Sequence, residues 1–244
     1  MMLVFVYIVV EGLRDLLNIH LKAYLYDIYY IILKKMNKTI LKPYYEQGKL
    51  EVGIDEAGRG CLFGPVCVAG VIWNHEIDDS SVVIKDSKKL SEKKRKEAYE
   101  FIINNCISYS IQLLSNKDID KTNILDCTIK GMHYCLDDIS TKIDFDSILV
   151  DGNHFKQYYS ESMDEFIPHK CMIKGDNHYK SIAAASILAK TYRDNYILQL
   201  TEKDPTLKKY DIHNNKGYGT KKHMEAIDKY GITELHRKTF APCH

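Results

Sequence analysis

The chain has 244 residues, 45% of them hydrophobic and 27% charged, which fits one large globular domain and excludes a low-complexity protein. Its 34 basic and 33 acidic residues nearly cancel, so any nucleic-acid surface must be a local patch. Seven cysteines without a C-x-x-C pair point away from a disulfide framework or zinc site, and towards a cytoplasmic or other reducing intracellular compartment.

Residues 1–48 read as an N-terminal extension and 49–244 as the main domain. Met1 to Val10 is apolar but too short to span a bilayer, and it lacks the basic flank and cleavage site of a secretory signal. Leu13, Leu17, Leu21, Leu25, Ile28 and Ile32 recur at helical spacing, which predicts an amphipathic helix over 13–33. A helix packed on the domain, or a segment upstream of a start at Met36, is favoured over membrane or partner attachment.

A strand is predicted from Leu50, where Leu50, Val52 and Ile54 share one parity and can cover a core. Asp55 has the opposite parity and Glu56 follows it; adjacent carboxylates repel unless a cation or proton intervenes. Gly58, Arg59 and Gly60 then form a loop whose backbone N–H groups and guanidinium suit a phosphate. After Gly64 and Pro65, Val66 to Ile72 reads as a second strand. An ordinary hairpin with solvated acids explains the acid pair alone equally well.

Seven basic residues against two acids lie between Lys85 and Lys96, and Ser91 caps a predicted helix over 92–105 with Ala98, Phe101 and Ile102 inward. Tyr109 to Leu114 reads as a third strand, and Asn123 to Ile139 as a packing helix. Ser147 to Gly152 is an apolar strand without alternation, as expected for burial on both faces, and it ends at Asp151. Acids at strand ends can face the crevice of an open α/β sheet, although Asp-Gly is equally a turn dipeptide. Residues 153–168 read as a polar connection and Lys170 to Lys174 as a fifth strand. Asp176 precedes a long alanine-rich helix that begins near Ser181 and can pack closely on a sheet. A loop containing Lys216-Gly217-Tyr218-Gly219 and a helix over about 221–230 follow; with 18 tyrosines in the chain, Tyr218 by itself is unremarkable. The ten histidines do not cluster at metal-ligand spacing. His133 reads as packed or solvated, and none of His154, His169 and His178, near the acids, is assigned a role.

Three strings are more specific than these separate signals. Gly53-Ile54-Asp55-Glu56-Ala57-Gly58-Arg59-Gly60, with Gly64-Pro65-Val66, resembles the first motif of type 2 ribonuclease H, ribonuclease HII. Asp86-Ser87-Lys88-Lys89-Leu90-Ser91 resembles its second motif. Lys174-Gly175-Asp176, leading into Ser181 to Lys190 and Arg193-Asp194, resembles the third. Lys216-Gly217-Tyr218 and the His236-Arg237 segment also match, so the likeness spans about 50–242 and leaves the extension uncovered.

The resemblance implies an α/β fold, a ribonuclease H-like mixed five-stranded sheet flanked by helices. It implies a monomeric endonuclease that hydrolyses the RNA strand of RNA–DNA hybrids and incises 5′ of ribonucleotides embedded in duplex DNA, in ribonucleotide and primer removal. Asp55, Glu56, Asp151 and Asp176 are then both catalytic and metal-binding, holding two Mg²⁺ or Mn²⁺ ions, with Asp55 bridging. Oxygen ligands suit these hard cations, and such ions can activate water and stabilise the leaving 3′-oxygen. Gly58, Arg59, Gly60, Ser87, Lys88 and Tyr218 are the implied nucleic-acid contacts. Tyr218 would pack on the deoxyribose after the ribonucleotide, and the glycine loop would meet the 2′-hydroxyl. No sliding-clamp motif is visible. The sequence stops soon after His236-Arg237, where many relatives continue into further helices that help hold the duplex, so the resemblance does not carry over duplex affinity or processivity. Arg59 between glycines, and aspartate at 176, resemble type 2 and not type 3. A sugar-kinase or actin-like ATPase and a non-catalytic binding protein fit less well, because Glu56 follows the first acid, no second nucleotide loop appears and all four acids are present.

Overall fold

The computed structural model describes residues 41–244. The helix expected over 13–33, and the question of membrane attachment through it, lie outside these residues. Among the described residues no helix is long and apolar enough to cross a membrane.

Strand β1 (Glu51–Ala57) is the middle of a five-stranded mixed sheet. It pairs antiparallel with β2 (Val66–Ile72), and β2 pairs antiparallel with β3 (Ser108–Leu114) at one edge. On its other side β1 pairs parallel with β4 (Ser147–Asp151), which pairs parallel with β7 (His169–Met172). Helix α1 (Glu92–Asn105) joins β2 to β3. Helices α2 (Asn116–Lys121) and α3 (Ile124–Ser140) join β3 to β4. The 24-residue α4 (Lys180–Lys203) follows β7, and the short α5 (Ile212–Asn215) and α6 (Lys221–Tyr230) lie beyond it.

The period-2 pattern of β1 divides its side chains between two helical layers. Val52 and Ile54 pack with Cys135, Leu136 and Ile139 of α3. Gly53 faces α4, whose backbone comes so close that a Cβ on Gly53 would stand 2.3 Å from the Ser181 carbonyl carbon. The alanines of α4 permit that approach: Ala184, Ala185 and Ala189 pack with Ala57, Ala69 and Val71 of the sheet and Ala98 of α1. A third cluster joins Leu62 and Phe63, just after the glycine loop, to Ile197, Tyr210, Ile227 and other C-terminal residues.

Several expectations shift. Residues 153–168 are not merely a polar connection, because β5 (Tyr158–Ser160) and β6 (Glu165–Ile167) form a separate antiparallel pair. Tyr158 and Ile167 anchor it in the α3-side core, while the Ser, Glu and Asp residues between them conceal its alternation in the sequence. The fifth strand ends at Met172, and Lys174 turns the chain with φ 57°. Asp176 sits in a 3-10 turn (Gly175–Asn177), with α4 starting at Lys180. Phe101 is only partly buried. Residues ahead of Leu50 also pack on the domain: Leu41 is buried, Lys42 N–H donates to the His178 carbonyl, and Lys180 N–H donates to the Lys42 carbonyl.

Helix α2 shows how short elements are held. Ser115 Oγ accepts from Asp118 N–H while Asp118 accepts from Ser115 N–H, a reciprocal capping box. Ser115→Ala should lower unfolding free energy by about 1 kcal/mol in urea titration.

Candidate active site

The register of β1 against β4 brings two acids together. Ile54 pairs with Val150, so Asp55 and Asp151 come next on neighbouring strands, whose backbones run about 4.8 Å apart. Ile54 and Val150 both face α3, which turns Asp55 and Asp151 to the α4 side. Asp55 is buried, and its Oδ1 accepts the Glu56 N–H at 2.7 Å. Asp151 Oδ1 accepts the Gly175 N–H at 2.7 Å, which ties the turn carrying Asp176 to the end of β4. Asp176 Oδ1 accepts from Asn177 Nδ2 at 2.7 Å. Glu56 Oε1 lies 3.3 Å from Arg59 Nη1. Ser87 is buried, with its Oγ 3.0 Å from Ser186 Oγ on α4, and the Ser186 hydroxyl in turn interacts with Asp55.

The glycine loop is held from beneath by two fully buried guanidinium groups. Arg237 Nη2 donates to the Gly58 carbonyl at 2.8 Å, Nη1 to that of Arg59 at 2.8 Å, and Nε to that of Gly64 at 3.0 Å. Arg193 donates to the carbonyls of Phe63, Pro65 and Lys216. Gly58 has φ 91°, and a Cβ there would stand 2.0 Å from Arg193 Nε, so only glycine fits. The Tyr218 loop is joined to the same structure, since Leu62 N–H donates to the Gly217 carbonyl at 2.8 Å and Cys61 bridges Tyr218. The half-exposed Tyr218 ring has Lys190 Nζ at 5.3 Å and the Arg193 guanidinium at 5.9 Å from its centre.

Comparisons with known proteins place the chain in a family. A family model described as Ribonuclease HII matches residues 52–243. The chain belongs to the ribonuclease HII family. A ribonuclease HII of Parabacteroides distasonis is 45% identical over 201 residues, covering 82% of this chain and 94% of the relative. One from Christiangramia forsetii is 48% identical over 188 residues, covering 77% and 88%. The ribonuclease HII of Archaeoglobus fulgidus, solved in complex with PCNA, has a TM-score of 0.63 at 26% identity over 78% of this chain and 95% of its own. The fold is shared more distantly with Bst-RNase HIII, solved in complex with Mn²⁺, at TM-score 0.60 and 21% identity, covering 80% and 68%. As a ribonuclease HII, the chain is an endonuclease of the ribonuclease H class.

In this family member the electrostatics of the acids share one direction. Burial, then the charges of Glu56 and Asp151, push the Asp55 carboxyl well above its ordinary value. Burial raises Glu56 against the opposing pull of Arg59. It raises Asp151 against the N–H groups of Gly175 and Asp176, and it raises Asp176 with help from Asp151. Lys88 opposes the shift at Glu56, Asp151 and Asp176, so this cation lies within the field of three acids. Among the described residues no three acidic, histidine or cysteine side chains stand in a ready-made metal cage. The donor set nevertheless fits a hard divalent cation: carboxylate oxygens, partly desolvated and mutually repelling, that gain from added positive charge.

His133, expected to be packed or solvated, lies 3.0 Å from the Lys156 carbonyl and against the rings of Phe155 and Tyr158. Ser186, Arg193 and Arg237 had no assigned role from sequence. For Ser186 a signal was present, a hydroxyl within the apolar, small-residue stretch Ala183 to Leu188, where burial demands a partner; Arg193 and Arg237 stand among polar residues and carry no such mark.

Proposed function

We propose that this ribonuclease HII hydrolyses the RNA strand of RNA–DNA hybrids and incises on the 5′ side of a ribonucleotide embedded in duplex DNA. The observation that carries this reading is the placement of Asp55 and Asp151 on adjacent strands, with Asp176 tied to the second of them through Gly175. Asp55, Glu56, Asp151 and Asp176 supply the oxygen ligands, with Asp55 at the centre. When bound, two Mg²⁺ or Mn²⁺ ions supply Lewis-acid polarisation of the phosphodiester and make water easier to ionise. Water adds to phosphorus as the P–O3′ bond breaks, leaving a 3′-hydroxyl and a 5′-phosphate.

The chain's own residues orient the nucleic acid. Arg59 and Lys88 face the phosphates, and Ser87 supports that region through Ser186. The backbone of Gly58 to Gly60 approaches the 2′-hydroxyl, and Tyr218 packs on the next sugar. Seven cysteines distributed through the fold, none of them disulfide-bonded, favour a reducing cytoplasm. The work fits removal of ribonucleotides and primers by a monomer.

The test is cleavage of a DNA duplex carrying one ribonucleotide, beside an all-DNA duplex and a long hybrid, with Mg²⁺ or Mn²⁺. Metal-dependent incision 5′ of the ribonucleotide supports the reading; cleavage of the hybrid alone would move it towards type 3 specificity. Tyr218→Ala should reduce the preference for the single ribonucleotide about tenfold, in the range of aromatic platform contacts. The same variant should keep its metal-induced rise in Tm, and loss of both together would contradict the assigned role.

A further inference from the structure

Two buried imidazoles connect the C-terminal segment to Tyr218. His223 on α6 and His236 beside Arg237 are both closed to solvent, and their Nε2 atoms lie 3.1 Å apart. One proton must sit between them, and the neighbouring groups decide which ring carries it. Thr233 N–H can only donate, and it lies 2.9 Å from His236 Nδ1. That nitrogen is therefore an acceptor, and the Thr233 hydroxyl at 2.9 Å donates to it as well. The proton of neutral His236 is left on Nε2, where it donates to His223 Nε2. His223 must then carry its own proton on Nδ1, 2.9 Å from the Tyr218 carbonyl oxygen. The other donor to that oxygen is Thr220 N–H at 2.8 Å.

All four ring nitrogens are used, and the chain runs in one direction only. Burial keeps both rings neutral, as this pattern requires: His223 lies below its ordinary value, and His236, with His223 beside it, is pushed down to about 4. The ring of Tyr210 packs against both imidazoles, and Phe63 packs against His236. Rotation of either ring would therefore break both packing and hydrogen bonds.

We propose that His223 and His236 are positioning residues for substrate discrimination: their directed hydrogen-bond chain fixes the Tyr218 backbone, and hence the ring that meets the sugar. The inference rests on the reading of Tyr218 given under Proposed function. It concerns side chains that touch neither the substrate nor the acids.

Two substitutions separate positioning from simple stabilisation. The amide of His223→Asn takes the place of Nδ1, so it keeps the bond to the Tyr218 carbonyl and loses His236. The amide of His223→Gln reaches the place of Nε2, so it keeps His236 and loses the carbonyl. A purely structural role predicts similar effects from both. The readout in the full chain is the ratio of single-ribonucleotide incision to hybrid cleavage, with Tyr218→Ala as reference and the Mn²⁺-induced rise in Tm as a check on the site.

His223→Gln should fall towards the Tyr218→Ala ratio, about tenfold down, while His223→Asn stays within about twofold of wild type. Long-range ¹⁵N–¹H spectra of the wild-type protein should show His223 protonated on Nδ1 and His236 on Nε2. Reversed tautomers, or equal ratios in the two variants, would overturn the proposal. If Tyr218→Ala lowers the ratio and both histidine variants leave it unchanged, the relay alone is wrong. An unchanged ratio in Tyr218→Ala would instead remove the Tyr218 reading and this inference with it.

Discussion

Asp55→Asn should abolish cleavage and, in metal-free buffer, raise the melting temperature of the protein. The loss of activity should exceed about 100-fold, the upper end of what removing an outer partner of a metal ligand costs, because Asp55 is the proposed central ligand itself. The gain in stability follows from burial. The Asp55 carboxyl titrates well above its ordinary value because it is desolvated beside Glu56 and Asp151. Between the ordinary value, about 4, and the raised native one, the folded state holds a proton that the unfolded chain has released. Stability therefore falls as pH rises through that window, and Asn, which cannot ionise, escapes the loss.

The difference in Tm between Asp55→Asn and wild type should grow with pH and then level off. Each 1 kcal/mol relieved raises Tm by about 2–4 °C in a domain of this size. Adding Mn²⁺ should reverse the order, stabilising wild type by mass action and leaving the variant nearly unmoved. Differential scanning calorimetry across pH, with and without Mn²⁺, reads all of this. A variant less stable than wild type in metal-free buffer at every pH would show that Asp55 is held by favourable contacts and not by strain.

Gly53→Ala should be the most damaging single-methyl change in the sheet. Its Cβ would stand 2.3 Å from the Ser181 carbonyl carbon and 2.4 Å from the Ile182 nitrogen, both backbone atoms in the first turn of α4. No rotamer change relieves a clash with backbone, so α4 must move away from β1. Overpacking commonly costs 1–3 kcal/mol, and this site should exceed about 3. Because α4 follows directly on the turn bearing Asp176, the shift should also weaken metal binding. Urea unfolding and Mn²⁺ titration of the same variant measure the two effects. Wild-type stability would mean that α4 is not seated on Gly53.

The sheet was largely legible in the sequence because its strands carry unambiguous patterns. Val52 and Ile54 alternate with Gly53 and Asp55, while Ile148 to Val150 run apolar without a break, as a strand covered on both faces must. The hairpin at 158–167 was missed because its fully buried apolar residues, Tyr158 and Ile167, stand at its two ends, with mostly polar residues between them. The four acids could be named only from the motif strings, since an acid at a strand end has the same local pattern whether it binds metal or closes a turn. Strand register is a long-range property, and it is register that brings Asp55 beside Asp151. Arg193 and Arg237 were harder still. Their partners are backbone carbonyls, which every residue possesses, so no sequence spacing marks the pairing.

The grip of Arg237 on the glycine loop also concerns the timing of synthesis. Its bond to the Gly58 carbonyl closes a sequence separation of 179 residues. A nascent chain can pair β1 with β2 early, yet the carbonyls of Gly58 and Arg59 lack these donors until Arg237 has left the ribosome. The loop proposed to read the sugar thus takes its final shape late, only after the segment bearing Arg237 has been made and folded back onto it.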